Sequence, residues 1–179
     1  WLGDTREKIA VEKAGIIRHG GKVVIGEPEP PHTLREAVKA LNADAWWQNQ
    51  EFSIARRTDG AVTFTAAEQT LELSDTAIPL NNVATALAVL KHAGFIVSDA
   101  TMQQAVANTQ LPGRRQLIAS QPATYLDVGH NPQATESLAE WLDSKTFEQL
   151  HIVVAMLNDK APTASLAPFK RFAPQWYLA

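Results

Sequence analysis

Between Thr124 and Pro132 an apolar run delivers a carboxylate, Asp127, then an imidazole, His130, and an amide, Asn131, with Gly129 and Pro132 marking a tight turn. Upstream, Arg114 follows the Pro112-Gly113 break. A chain break, a strand-to-helix switch and a cluster of ionisable groups therefore coincide. Polar groups at the carboxyl end of a strand are where open α/β sheets hold their ligands. A carboxylate inside an apolar strand costs free energy unless it is paired or used, so Asp127 stands out, and His130 beside it shares the mouth of the same sheet. The simpler reading of Gly129 to Pro132 is only a βα turn. Elsewhere the single residues say less. Lys13 reads as a surface lysine complementing a helix dipole, Asn82 as a helix-start residue and Arg114 as a linker charge.

The elements that must position these groups follow from pattern. Asp4 and Glu7 have capping-box spacing, which predicts a helix through Ala14 with Gly15 as its stop. Lys22 to Gly26 is a short β-branched run expected to be buried in a parallel sheet. Pro28, Pro30 and Pro31 force an extended loop, and Thr33 is the expected cap of a helix to about Asn42. Residues 45–78 change character: strands over Trp46–Gln50, Phe52–Arg57, Val62–Thr65 and Thr70–Leu73, with Asp59-Gly60 as a hairpin turn, predict a small antiparallel region. Asn81 and Asn82 lead a helix from Val83 to His92, ended by Gly94, and Ser98 caps another over 99–108. After the break, Gln116–Ser120 is a strand or linker and Thr124–Val128 a strand. Asn131 caps a helix with Pro132 at its first position and an apolar stripe of Ala134, Leu138, Trp141 and Leu142. His151–Leu157 reads as a buried strand, so residues 124–157 are expected to form one right-handed βαβ unit. A short helix at 164–172 and a strand at 176–178 close the series.

Composition narrows the classes. Of 179 residues, 45% are hydrophobic and 20% charged, as in ordinary globular proteins. A net charge of −3 without a dense basic run argues against nucleic acid as a partner. No apolar run has the length of a membrane span. The absence of cysteine excludes a disulfide framework and thiolate zinc. The five histidines lack zinc-ligand spacing, and there is no phosphate loop, dinucleotide fingerprint or serine elbow. The chain opens on Trp1 without an initiator Met and closes on the apolar run Gln175 to Ala179. It reads as a fragment of a longer protein.

Four motifs occur in order: Glu12-Lys13-Ala14-Gly15-Ile16; Pro79, Asn81 and Asn82 followed by Ala84-Thr85-Ala86; Leu111-Pro112-Gly113-Arg114; and Asp127-Val128-Gly129-His130-Asn131-Pro132. Together, and across essentially the whole chain, they resemble the folylpolyglutamate synthase / dihydrofolate synthase family, relatives of the muramyl-peptide ligases. The resemblance implies an α/β chain in which residues 1–112 are the end of a central ATPase domain, with its small antiparallel β region. Residues 113–179 are then the first part of a Rossmann-like C-terminal ligase domain. It further implies an ATP-dependent amide ligase that activates a folate or dihydropteroate carboxylate as an acyl phosphate and joins it to L-glutamate, with Mg²⁺ aligning the phosphates.

By that resemblance Lys13 matches a lysine carbamylated by CO₂, which then serves catalysis as an anionic ligand to Mg²⁺. Asn82 matches an ATP-contacting asparagine. Arg114 matches a linker arginine reaching ATP phosphate, and Asp127 a carboxylate contacting the nucleotide. His130 matches a histidine assisting in the closed catalytic site. The loop at Asp159-Lys160 also resembles a family loop, although Ala161 stands where a second acid is common. The resemblance places the phosphate loop before Trp1, so the chain is expected to be inactive alone, in a cytoplasmic, monomeric enzyme with small-molecule partners. A muramyl-peptide-type ligase and a non-catalytic nucleotide-binding module are the alternatives; the Glu12–Ile16 and Asp127–Pro132 signatures favour the folate branch.

Overall fold

The computed structural model describes residues 5–74, 76–157 and 161–179. Its contacts divide the chain into two compact units, Trp1–Thr109 and Gln110–Ala179. Both are mixed α/β.

The first unit opens with helix α1 (Arg6–Ala14), followed by strand β1 (Lys22–Ile25), α2 (His32–Ala40) and β2 (Asp44–Trp47). Asp4 lies outside the described residues, and the cap of α1 is Thr5, whose side chain accepts from the Lys8 amide. Glu7 has a different task. Thr33 donates its backbone N–H (3.1 Å) and its hydroxyl (2.6 Å) to the Glu7 carboxylate, so an acid of α1 sits at the positive N-terminal end of α2. Thr33 therefore is not the cap of α2; Pro31 holds that position and the threonine is spent on Glu7.

β2 corrects the sequence reading. The run beginning near Trp46 does not join the antiparallel region: β2 pairs in parallel with β1, Lys22 opposite Asp44 and Ile25 opposite Trp47. With α2 as the crossover this is a βαβ unit. Its inner side is closed by His92, 6% exposed, whose ring stacks on Trp46 at 4.8 Å. Its Nε2 lies 2.8 Å from the Asp44 carbonyl, and Lys22 Nζ donates to the His92 carbonyl at 2.5 Å.

A three-stranded meander follows, β3 (Phe52–Arg56), β4 (Val62–Ala66) and β5 (Gln69–Leu73), antiparallel throughout. The expected Asp59-Gly60 turn forms, with Gly60 at φ 86° and Ala61 N donating to Asp59 Oδ1 at 3.1 Å. The second turn uses Ala67 and Glu68, both at positive φ, where no glycine advertised a hairpin. Alternation along β4 buries Val62, Phe64 and Ala66 against α3 (Leu80–His92) and α4 (Asp99–Asn108) through Val83, Ala84, Leu87, Ala88, Met102 and Val106. α3 starts earlier than expected, capped at Pro79, which places Asn82 inside its first turn. Ser98 caps α4 as predicted, its oxygen accepting from Thr101 N.

The second unit contains β6 (Gln116–Ser120), β7 (Ala123–Leu126), α5 (Pro132–Asp143), β8 (His151–Val154), the short α6 (Pro162–Leu166) running into a 3-10 helix (Ala167–Phe172), and β9 (Gln175–Leu178). β6 and β7 form an antiparallel hairpin whose turn includes a cis Gln121–Pro122 bond. β8 pairs in parallel with β9. The βαβ unit expected over 124–157 therefore does not form as predicted: among the described residues β7 has no ladder with β8, and the parallel crossover runs instead from β8 through α6 to β9. Nor is β8 the buried strand its composition suggested, with Val153 75% exposed. Asn131 caps α5 as expected, accepting from Ala134 N. Arg171, on the 3-10 helix, donates to Asp143 and Glu136 of α5. Those bonds, Asp143 first, hold its guanidinium above the usual arginine range.

Candidate functional site

In the second unit the sequence motifs fold onto one another. The linker turn is built from Leu111 to Arg115, with Arg114 N donating to the Leu111 carbonyl at 3.0 Å. Gly113 is at φ 67°, and a Cβ there would lie 2.7 Å from Val128 Cγ1, so both its conformation and its packing require glycine. Its carbonyl accepts from Val128 N at 2.9 Å, which fastens the linker to the chain leaving β7.

Asp127 lies one residue beyond β7 rather than inside it, and is half-buried. Its Oδ2 accepts from Arg115 N at 2.9 Å and its Oδ1 from Gly129 N at 2.7 Å. Two charge-assisted bonds to backbone donors offset its desolvation and answer the question its apolar surroundings raised. His130 is exposed, its Nδ1 3.0 Å from the Val128 carbonyl. A carbonyl only accepts, so this bond forms only when Nδ1 carries a proton. Arg114 is exposed, whereas Arg115 is 8% exposed. The structure thus joins Arg114, Asp127 and His130 on two linked turns, an arrangement able to present a guanidinium and an imidazole to an anionic ligand. Arg115, which sequence pattern could not separate from its neighbour, is the residue that reasoning from sequence missed.

Lys13 and Asn82 belong to separate helices of the first unit. Lys13 is exposed in the last turn of α1. Asn82 is exposed in the first turn of α3, its N–H donating to the Pro79 carbonyl at 2.9 Å. That turn is braced from two sides. Gln48, just after β2, donates from Nε2 to Asn81 Oδ1 at 2.8 Å. The Thr85 hydroxyl donates to the Asn81 carbonyl at 2.7 Å and packs against Gly26.

An open cleft of about 460 Å³ lies by the start of α1, the Pro28–Pro31 loop and α2. None of the five candidate residues lines it. Its arginines have partners on the protein itself: Arg6 donates to the Glu29 carbonyl at 2.7 Å and faces Glu27 at 3.6 Å, and Arg35 stacks 4.7 Å over Trp47. The loop at Asp159-Lys160 lies outside the described residues. Among the described residues no group of three or more His, Asp or Glu is arranged to hold a metal ion, and no helix is long and apolar enough to cross a membrane.

No protein-family model matches the chain. Individual proteins do. The dihydrofolate synthase/folylpolyglutamate synthase of Escherichia coli K12 is 36% identical over 181 aligned positions, covering 100% of this chain and 43% of that protein. The solved structure of Escherichia coli FolC in complex with ADP, without folate substrate, superposes with a TM-score of 0.89 at 35% identity, over 100% of this chain and 44% of that one. A bifunctional folylpolyglutamate synthase/dihydrofolate synthase with Mn, AMPPNP and L-glutamate bound gives 0.87 at 34% identity, over 99% and 43%. The chain spans less than half the length of the relatives it matches. Along the whole of its own length, and as the counterpart of that part of them, it belongs to the folylpolyglutamate synthase / dihydrofolate synthase family.

Proposed function

We propose that the native polypeptide carrying this sequence joins L-glutamate to the carboxylate of a folate or dihydropteroate at the expense of ATP. The γ-phosphoryl group passes to the carboxylate, giving an acyl phosphate and ADP. The glutamate amine then attacks the acyl carbon and expels phosphate, forming the amide. The observation that carries this reading is the similarity, over all 179 residues, to proteins of that name. One of these holds a nucleotide analogue, a divalent metal and L-glutamate.

Within this reading residues 1–112 correspond to the end of the central ATP-binding domain and 113–179 to the first part of the glutamate-ligase domain. Asn82 contacts ATP from the start of α3. Arg114, a permanently charged planar donor, serves the phosphates. Asp127 contacts the nucleotide from the turn after β7, and His130 assists at the reacting groups. Mg²⁺ supplies charge neutralisation at the phosphates when bound. The described residues do not form a site for it by themselves, and Lys13, as a carbamate, is the one group of this chain assigned to it. The enzyme is proposed to be monomeric and cytoplasmic. Relatives of this name are more than twice as long as the stretch described, so the 179 residues alone are expected to give no turnover.

The test is ligation by the native polypeptide with ATP, Mg²⁺ and L-glutamate, offering dihydropteroate or tetrahydrofolate as acceptor, read as the mass of one added glutamate and as released phosphate. Ligation of either acceptor supports the proposal. Ligation of neither, with a muramyl substrate accepted instead, overturns it.

A further inference from the structure

We propose that Arg115 is a positioning residue. It latches the linker turn onto α5, so that Arg114 is aimed into solvent while Asp127 and His130 are held in one arrangement. Only the identity of what the latched residues act upon rests on the ligase reading.

Two adjacent arginines of identical chemistry have opposite placements: Arg114 is exposed and Arg115 buried at 8% exposure. The backbone enforces the reversal. Gly113 at φ 67° and Arg115 at φ 45° are both left-handed and flank Arg114. Glycine adopts that conformation freely, but an arginine does so against a steric penalty, so interactions made only in this conformation must hold it there.

Those interactions reach three segments. The Arg115 N–H donates to Asp127 Oδ2 at 2.9 Å, which ties the linker to the turn before α5. The Arg115 guanidinium donates at 2.8 Å to both the Ser137 carbonyl and the Ser137 hydroxyl. It lies 5.6 Å from the Trp141 ring centroid, and Trp141 meets Tyr125 of β7 edge-on at 4.8 Å. One side chain therefore anchors the linker to the body of α5, and one backbone N–H orients the carboxylate that precedes it. With Asp127 Oδ1 taken by Gly129 N and Val128 N bonded to the Gly113 carbonyl, the turn carrying His130 is fixed from both sides. A planar fork with several donors suits this task, and a lysine reproduces only part of it.

The experiment uses Arg115→Ala and Arg115→Lys, each made in the 179-residue chain and in the native polypeptide. In the 179-residue chain, amide hydrogen exchange at Val128 and Gly129 is expected to quicken about tenfold or more in Arg115→Ala, with a smaller rise in Arg115→Lys. Amides of β3–β5 should be unmoved. Unchanged exchange at Val128 and Gly129 overturns the proposal; if the alanine variant does not fold, the lysine variant decides by the same criterion. In the native polypeptide, the KM for MgATP is expected to rise about tenfold in Arg115→Ala, with the KM for glutamate unchanged and partial recovery in Arg115→Lys. A loss of folded enzyme with both KM values unchanged marks Arg115 as merely stabilising and overturns it. Should the wild-type polypeptide ligate no acceptor, the ligase reading falls and the exchange result alone decides the latch.

Discussion

Gly26→Ala tests how the end of β1 meets α3. A Cβ built on Gly26 would lie far inside van der Waals contact with Thr85 Oγ1 and 3.0 Å from Thr85 Cβ. Thr85 cannot simply turn away, because its hydroxyl donates to the Asn81 carbonyl at 2.7 Å. Releasing that bond costs about 0.5–1.5 kcal/mol. Keeping it forces α3 outward against a core containing Ala84 and Ala88, both at 0% exposure, and overpacking of that kind costs about 1–3 kcal/mol. These are alternative responses and not additive ones, so the variant should lose roughly 1–3 kcal/mol. For a unit of this size that corresponds to a fall in Tm of roughly 5 °C or more. Thermal unfolding followed by circular dichroism measures it. The cause is isolated by a double-mutant cycle. Thr85→Ala alone forfeits the hydroxyl bond, about 1 kcal/mol, but also removes the obstructing atom. Gly26→Ala/Thr85→Ala should thus be more stable than Gly26→Ala. A double variant as unstable as the sum of the two singles would refute the steric argument.

Two further outcomes are expected. The hydroxyl and N–H of Thr33 hold the Glu7 carboxyl below the ordinary glutamate range, so its contribution to stability is full above that range and is lost as pH falls through the lowered value. A titration of the Thr33 amide chemical shift should show the α1–α2 link persisting in weak acid and loosening in stronger acid, and Glu7→Gln should abolish that step. Gly113→Ala should cost about 1–2 kcal/mol for the left-handed backbone and about 1–3 kcal/mol for the clash with Val128. Urea unfolding of the chain measures the loss, and adding Val128→Ala should recover only the second part.

Local chemistry was legible wherever a single residue decides the outcome. Ser98 and Asn131 cap their helices, and Asp59-Gly60 turns its hairpin, because each acts on amides a few residues away. The reading failed where the deciding partner is distant in sequence. Trp46 and its neighbours looked like one more meander strand, but a strand's partner is chosen by what it packs against, and here that is β1 and His92. Thr33 looked like a cap because its bond to Glu7 spans 26 residues. Hydrophobic pattern also cannot tell parallel neighbours apart, so β7 and β8 were joined into one crossover unit when each has another partner. In the candidate site, motif order singled out Arg114, Asp127 and His130. Nothing in the pair Arg114-Arg115 signalled that only the second is buried, since that depends on two backbone dihedrals and on Ser137 and Trp141 downstream.

The bond from Lys22 to the His92 carbonyl, with a separation of 70 residues, has a consequence for how the first unit is made. Between its two ends the β3–β5 meander closes through short loops, which form quickly because little chain entropy is lost. The seal over Trp46 has no such shortcut, since it awaits the end of α3. On a ribosome, where the chain emerges from the N-terminus, β1 and β2 precede α3, so Trp46 and the Asp44 carbonyl stay without their His92 partner until the end of α3 has left the tunnel.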